Sequence, residues 1–384
     1  MFLIDHLEQG MPTTFTSFND VRPEVASFES YEPGLSIAEI AERYGLDRVV
    51  KLASNENPLG VSPRVREVLC AHAGDAFRYP QSGNPRLVRA LAAFYGVDAK
   101  RIFVGNGSDE VIDLLFRVRA VPGVHNAVAC RPCFGLYPTQ AKMAGVEFRQ
   151  APLKEDFSFD FRKMRELVDE NTTLVLITSP DNPSGRTASV EDLESLAGSL
   201  PPACLLVVDE AYVEFAGEEH SLLPRLDRHP NVALMRTFSK VYGLAGLRIG
   251  YAILPPAIAD YLWRVRLPFS LNILAEEAAL AALRDDAFRK ETIALVRRGR
   301  ETFTSTLREM GCDVVPSMSN FVMFRPPAGK PGAADLHAAL LRRGVIIRAL
   351  RSYHLPEWLR VNVGTDEENA LFLRLTREIL EGKA

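Results

Sequence analysis

RTFSKVYGLAGLRIGY, residues 236–251, sets two cations, Lys240 and Arg248, among residues otherwise suited to burial. An ammonium group taken out of water is strongly disfavoured unless it is paired or gives up its proton. Lys240 therefore needs a good partner or a chemical task. Its flanks say where in the fold that task lies, because VALM (232–235) and LRIGYAIL (247–254) are short apolar runs of strand length.

Working outward, short apolar runs alternate with helical periods. RIFVGNGS (101–108) precedes DEVIDLLFRVRA (109–120), HNAVACRPC (125–133) precedes YPTQAKMAG (137–145), and TTLVLITSP (172–180) precedes VEDLESLAGSL (190–200), after which comes CLLVVDEAY (204–212). This order predicts an α/β fold whose mostly parallel central sheet is covered by helices. After residue 275 helices dominate, EEAALAALRDDAFRKETIALVRRGRETFTSTLREMG (276–311) being long and strongly periodic. The short strands SNFVMFRP (319–326), VIIRAL (345–350) and LRVNVG (359–364), with helix DLHAALLRRG (335–344), predict a second, smaller α/β lobe. Residues 1–35 read as an irregular arm, and IAEIAERYG (37–45) as a short amphipathic helix closed by Gly45.

The 384 residues, 47% of them apolar, exceed what one small core needs and favour two lobes. A formal charge of -4 offers no general attraction to nucleic acid or to anionic membranes. MFLIDHLEQG (1–10) lacks a basic leader and meets Asp5 at once, so no signal peptide is expected, and no apolar run is long enough to cross a membrane. The odd set Cys70, Cys130, Cys133, Cys204 and Cys312 suits a reducing, cytoplasmic compartment. Cys130 and Cys133 form a CxxC with no second pair of ligands, which favours packing over metal or redox chemistry. The histidines show no metal-ligand spacing, and no metal site is expected.

In an open parallel sheet, ligands sit beyond the carboxyl ends of the strands. There the chain places GNGSDE (105–110), TSPDNPSG (178–185), DEAY (209–212) and RTFSK (236–240). Gly105 and Gly107 allow a tight turn, Ser108 is a sound N-cap, and Asp109 with Glu110 fills a first helical turn whose free amides suit a phosphate ester. An ordinary capped helix start explains the same residues. Asp209, at the end of an apolar strand, is either structural or part of a site; with Tyr212 and Asn182 it offers an acid, a phenol and an amide around one crevice. Burial and the neighbouring charge of Arg248 would lower the basicity of Lys240 and make it a nucleophile able to form a Schiff base with an aldehyde.

VGNGSDE (104–110), TSPDNPSG, DEAYVEF (209–215), RTFSKVYGLAGLRIGY and LRVNVGT (359–365), in this order and spacing, resemble the fold-type I pyridoxal-phosphate aminotransferases. SYEPG (30–34), KLASNENPLG (51–60) and RYP (78–80) bring the chain closer still to the histidinol-phosphate aminotransferases, and the resemblance runs from about residue 25 to the end. It implies a homodimer with shared sites. It also implies an arm and the start of the small domain in 1–50, a large cofactor-binding domain in 51–275 and a small domain in 276–384. Lys240 would carry pyridoxal 5'-phosphate as a Schiff base and shuttle the substrate proton. Asp209 would keep the pyridine nitrogen protonated, Tyr212 and Asn182 would bind the ring's phenolic oxygen, and Phe134 of RPCFGLY (131–137) would stack on the ring. The phosphate would lie on the helix start formed by Gly107, Ser108 and Asp109, with Thr237, Ser239 and Arg248, and would be reached by Tyr79 of a neighbouring subunit.

For the substrate, the resemblance implies Arg360 and Arg348, with Tyr31 from the partner chain, and guanidinium geometry suits both carboxylate and phosphate. The implied reaction interconverts L-histidinol phosphate and 2-oxoglutarate with imidazole acetol phosphate and L-glutamate. An aromatic amino-acid aminotransferase and a threonine-phosphate decarboxylase are the rivals on this scaffold. Asp181 stands where the family often has asparagine and Phe134 where it often has tyrosine. RSYHLPEW (351–358) adds Arg351 and His354 beside the pocket, which bears on substrate choice. A ligand-sensing regulator would need a DNA-binding module that residues 1–45 do not supply, and a dehydrogenase would need the missing GxGxxG fingerprint.

Overall fold

The computed structural model describes residues 17–28 and 36–383. Its strands are β1 (Val50–Lys51), β2 (Ile102–Asn106), β3 (Asn126–Arg131), β4 (Glu147–Pro152), β5 (Thr172–Thr178), β6 (Leu205–Asp209), β7 (Val232–Thr237), β8 (Ile249–Ile253), β9 (Asp313–Val314), β10 (Phe321–Arg325), β11 (Val345–Ile346), β12 (Arg348–Ala349) and β13 (Leu359–Asn362). β2 to β8 form a seven-stranded sheet in the order β2-β8-β7-β6-β5-β3-β4.

The sheet is mostly parallel, as the alternation of runs predicts, except that β8 lies antiparallel to both β2 and β7. A parallel return requires a long crossover, usually a helix, and the 238–248 connection carries only the single turn Ala245–Leu247. β5, β6 and β7 are buried along their whole length. Their unbroken apolar runs fit strands covered on both faces: Val175, Ile177, Leu206 and Val208 enter one core, while Leu174, Leu176, Leu205 and Val207 enter the other.

A four-stranded sheet, β12-β13-β10-β9, and the parallel pair β1-β11 make up a second region. VIIRAL is thereby divided, since Val345–Ile346 pairs with Val50–Lys51 and Arg348–Ala349 pairs with β13. Phe303, Phe324, Leu336 and Phe372 belong to the apolar core of this region. The periodic stretch after residue 275 contains a break, because Asp285 accepts the Phe288 amide and starts a new helix, Asp286–Glu309. The preceding helix, Ile273–Leu283, packs its alanines into the core of the large sheet.

Helix Ile37–Tyr44 starts at a Ser36/Glu39 capping box and is closed by Gly45 at φ 62, the closure its sequence predicts. Within the arm, the turn of helix Pro23–Ala26 lies near helix Leu136–Met143, where Lys142 Nζ donates to the Ser27 carbonyl at 2.8 Å. Among the described residues, no helix is long and apolar enough to cross a membrane.

Candidate active site

The carboxyl ends of β5, β6 and β7 open onto a cleft of about 270 Å³ whose lining includes Asp209, Lys240, Tyr212, Asn182, Phe134 and Arg248. Each strand hands over its last residues there: Thr178 from β5, Asp209 from β6 and Thr237 from β7. The strand-end rule thus brings together residues far apart in sequence.

Asp209 forms the floor. It is buried, its Oδ1 accepts the Ala211 amide at 3.1 Å, and its Oδ2 accepts the Tyr137 hydroxyl at 2.9 Å. Tyr137 Oη lies 2.7 Å from Thr178 Oγ1. Burial pushes the Asp209 carboxyl up to about 6, against the opposing pull of Tyr137. At neutral pH the carboxylate is therefore mainly ionised and can receive a cationic N–H.

Lys240 Nζ donates to the Ser54 carbonyl at 3.4 Å and lies 5.7 Å from the centre of the Tyr212 ring. Desolvation first, and then the charge of Arg360, brings its basicity down to about 8, with Glu56 opposing. Arg248 acts in the expected direction but less strongly than Arg360, being ion-paired to Asp109 at 2.8 Å. Tyr212 Oη accepts Asn55 Nδ2 at 2.9 Å, and burial raises the phenol well above its ordinary range, so it keeps its proton.

An anion cradle lies beside β2. Gly107, not Ser108, is the N-cap of helix Ser108–Arg119, so Ser108 contributes a first-turn amide rather than a side-chain cap. Gly107 has φ +79, and a Cβ there would stand 2.6 Å from Arg248 Nη2; a glycine lets the guanidinium cross the helix start. Arg248 itself takes the left-handed conformation at φ 54. Thr237 Oγ1 donates to Ser239 Oγ at 3.0 Å on the facing wall. Amides, hydroxyls and a guanidinium in this arrangement fit a phosphate, while Phe134, packed edge-on to Tyr137 at 5.7 Å, adds an aromatic wall.

Arg360 is buried on β13, donates to Asn182 Oδ1 and, at 3.0 Å, to the Ala53 carbonyl, and has its guanidinium 5.0 Å from the Phe321 ring centre. Its Nε has no hydrogen-bond partner among the described residues. Arg348 stands opposite Arg360 in the β12-β13 register, half-buried. Arg351 and His354 are exposed. Tyr79 is 80% exposed and stacks on Phe269 at 4.7 Å, and neither ring is among the residues that line the cleft. Tyr31 lies outside the described residues.

Sequence reasoning missed Ser54, Asn55, Tyr137 and Thr178. Tyr137 had a local signal, since it follows Phe134 by three residues and so falls on the same side of a helix start. Asp181 accepts from the Ser184 amide at 3.0 Å and closes the TSPDNPSG turn. Cys130 and Cys133 are free and buried, Cys130 packing its sulfur 3.4 Å from that of Met164.

The chain belongs to the class I and II aminotransferase family, whose model matches residues 47–374. The histidinol-phosphate aminotransferase of Nitratidesulfovibrio vulgaris strain Hildenborough is 59% identical to it over 364 residues, covering 94% of this chain and 97% of that one. The enzyme of the same name from Oleidesulfovibrio alaskensis is 55% identical over 378 residues, 98% of each chain. The crystal structure of histidinol-phosphate aminotransferase from Sinorhizobium meliloti, in complex with pyridoxal-5'-phosphate, superposes with a TM-score of 0.85 at 28% identity, covering 96% of this chain and 100% of that one.

Proposed function

We propose that this chain is a pyridoxal-phosphate-dependent histidinol-phosphate aminotransferase, interconverting L-histidinol phosphate and 2-oxoglutarate with imidazole acetol phosphate and L-glutamate in histidine biosynthesis. The observation that carries this reading is Lys240, its basicity brought down to about 8, in a cleft with Asp209 at its floor and Arg360 close enough to act on its charge. Bound there, pyridoxal phosphate supplies a carbonyl carbon that takes up an amino group and a protonated ring that accepts the electrons left when the substrate Cα loses its proton.

The neutral fraction of Lys240, enlarged by its lowered basicity, would hold the cofactor covalently through Nζ and, once released by the incoming amine, would carry the Cα proton on that nitrogen. Asp209 keeps the ring nitrogen protonated, and Tyr212 and Asn182 donate to the phenolic oxygen. Phe134 covers one face of the ring. The Ser108 amide holds the phosphate with Thr237, Ser239 and Arg248, while the Gly107 N–H is donated to the Gly105 carbonyl at 2.9 Å and Gly107 contributes the space for the guanidinium, and Asp109 orients Arg248 through their 2.8 Å ion pair. Arg360, whose Nε is unpaired among the described residues, takes the anionic end of the substrate, a carboxylate in one half-reaction and a phosphate in the other, with Arg348 beside it.

Tyr79 and Tyr31 serve the site of a partner copy in a cytoplasmic homodimer. An exposed apolar surface formed by Phe77, Tyr79, Leu267 and Phe269 supports this assignment. The large domain expected at 51–275 is better drawn from the segment after β1 through helix Ile273–Leu283, whose alanines join the large sheet's core, and the small domain expected at 276–384 from helix Asp286–Glu309 onward together with the arm and β1, which pairs with β11.

Incubating the purified protein with L-histidinol phosphate and 2-oxoglutarate tests the reading. It predicts formation of glutamate; fast glutamate formation from phenylalanine with none from histidinol phosphate contradicts it.

A further inference from the structure

We propose that Tyr137, itself hydrogen-bonded by Thr178, is a positioning residue that keeps Asp209 ionised and aimed at the ring nitrogen of the bound cofactor, an inference that rests on the pyridoxal-phosphate reading above. Among the described residues, Tyr137 is the one side chain that donates to the Asp209 carboxylate. Its hydroxyl proton is committed to Oδ2 at 2.9 Å, so at its other side Oη accepts, and Thr178 Oγ1 at 2.7 Å is the donor. The three groups form a directed chain, from Thr178 to Tyr137 to Asp209, in which Tyr137 is 1% and Asp209 3% exposed.

In a site this dry, a hydrogen bond to a carboxylate is a strong one, and it favours the charged form over the acid. That choice decides where the shared proton rests: an ionised Asp209 leaves it on the ring nitrogen, whereas a protonated Asp209 leaves the ring neutral and a poorer electron acceptor. Tyr137 also ties this choice to the ring's stacking wall, because its amide donates to the Phe134 carbonyl at 3.1 Å and the two rings pack edge-on. A phenylalanine would fill the same space. What the hydroxyl adds to the ring is its hydrogen bond to Asp209.

The test uses holoenzyme reconstituted with pyridoxal phosphate labelled with nitrogen-15 in the ring. In the wild type the ring nitrogen resonates as a protonated pyridine. In Tyr137→Phe the signal moves toward the neutral position and kcat falls roughly tenfold with KM nearly unchanged, the size expected from losing one charge-assisted hydrogen bond. Thr178→Val shifts both readouts the same way by less and carries the test if Tyr137→Phe does not fold, while Thr178→Ser behaves as wild type. A loaded Tyr137→Phe enzyme whose nitrogen signal equals that of the wild type overturns the inference, whatever its kcat. A wild-type protein that retains no pyridoxal phosphate overturns this inference and the functional reading together.

Discussion

Asn55 Nδ2 donates to Tyr212 Oη at 2.9 Å, while the Asn55 backbone is held by Asn362 Oδ1 at 3.2 Å and Asn320 Nδ2 at 3.0 Å. One residue thus fastens a phenol of the large sheet's cleft to Asn320, just before β10, and to Asn362, the last residue of β13. Ala53 and Ser54, just before it, accept from Arg360 and Lys240. The segment 53–55 is a strap across which the cleft lysine and the β13 arginine share a support.

Asn55 adopts φ 57, a region open to asparagine and glycine and strained for alanine. Asn55→Gly should lose the amide contact alone, about 1–2 kcal/mol, whereas Asn55→Ala should lose that and about 1 kcal/mol more. Urea unfolding of the two variants checks the order. A glycine variant no more stable than the alanine variant contradicts it.

Capture of pyridoxal phosphate by the apoenzyme should rise with pH as Lys240 loses its proton, with its inflection near pH 8. Arg360 is a cation that lowers the basicity of Lys240, so Arg360→Gln should move the inflection to higher pH. Stopped-flow absorbance over a pH series measures it. An inflection that stays in place or moves down removes Arg360 from the account.

Gly107→Ala would put a methyl group 2.6 Å from Arg248 Nη2 and displace the guanidinium. The expected result is at least about tenfold weaker retention of pyridoxal phosphate, the loss of one charge-assisted contact, with little change for unphosphorylated pyridoxal. Equal weakening for both ligands would mean that the cradle does not read the phosphate.

Behind the cleft, Arg236 is paired to Glu210 at 2.8 Å and to Glu218 at 2.9 Å, and Glu214 is buried beside them with Oε1 unpartnered among the described residues. Burial, partly offset by Arg236, pushes the Glu214 carboxyl from 4.5 up to about 7. A carboxyl raised in the folded state binds more protons there than in the unfolded chain, so this group's contribution to stability falls as pH rises between those values. Glu214→Gln should match the wild type near pH 5 and exceed it at pH 8, by at most about 3 kcal/mol. Unfolding at the two pH values decides, and an equal difference at both contradicts the assignment.

The parallel core, the cleft at its carboxyl edge and the joint appearance of Lys240, Asp209, Asn182 and Tyr212 were legible because each follows an unbroken apolar run, a local pattern. The reversal of β8 was also there to be read, in a connection too slight for a crossover. Tyr137 and Thr178 escaped because their importance lies in what they touch across helix and sheet, which periodicity does not encode. The 53–55 strap has no periodic signature at all, and its residues are brought to the cleft by contacts spanning much of the chain. VIIRAL read as one strand because its apolar run is continuous, while its partners, β1 and β13, lie in distant parts of the sequence.

Borohydride reduction of the holoenzyme followed by peptide mapping tests the central claim most directly. A pyridoxyl group fixed on the peptide that contains Lys240, and absent from Lys240→Ala, is the predicted result. An unmodified Lys240 peptide in fully loaded protein would contradict the account.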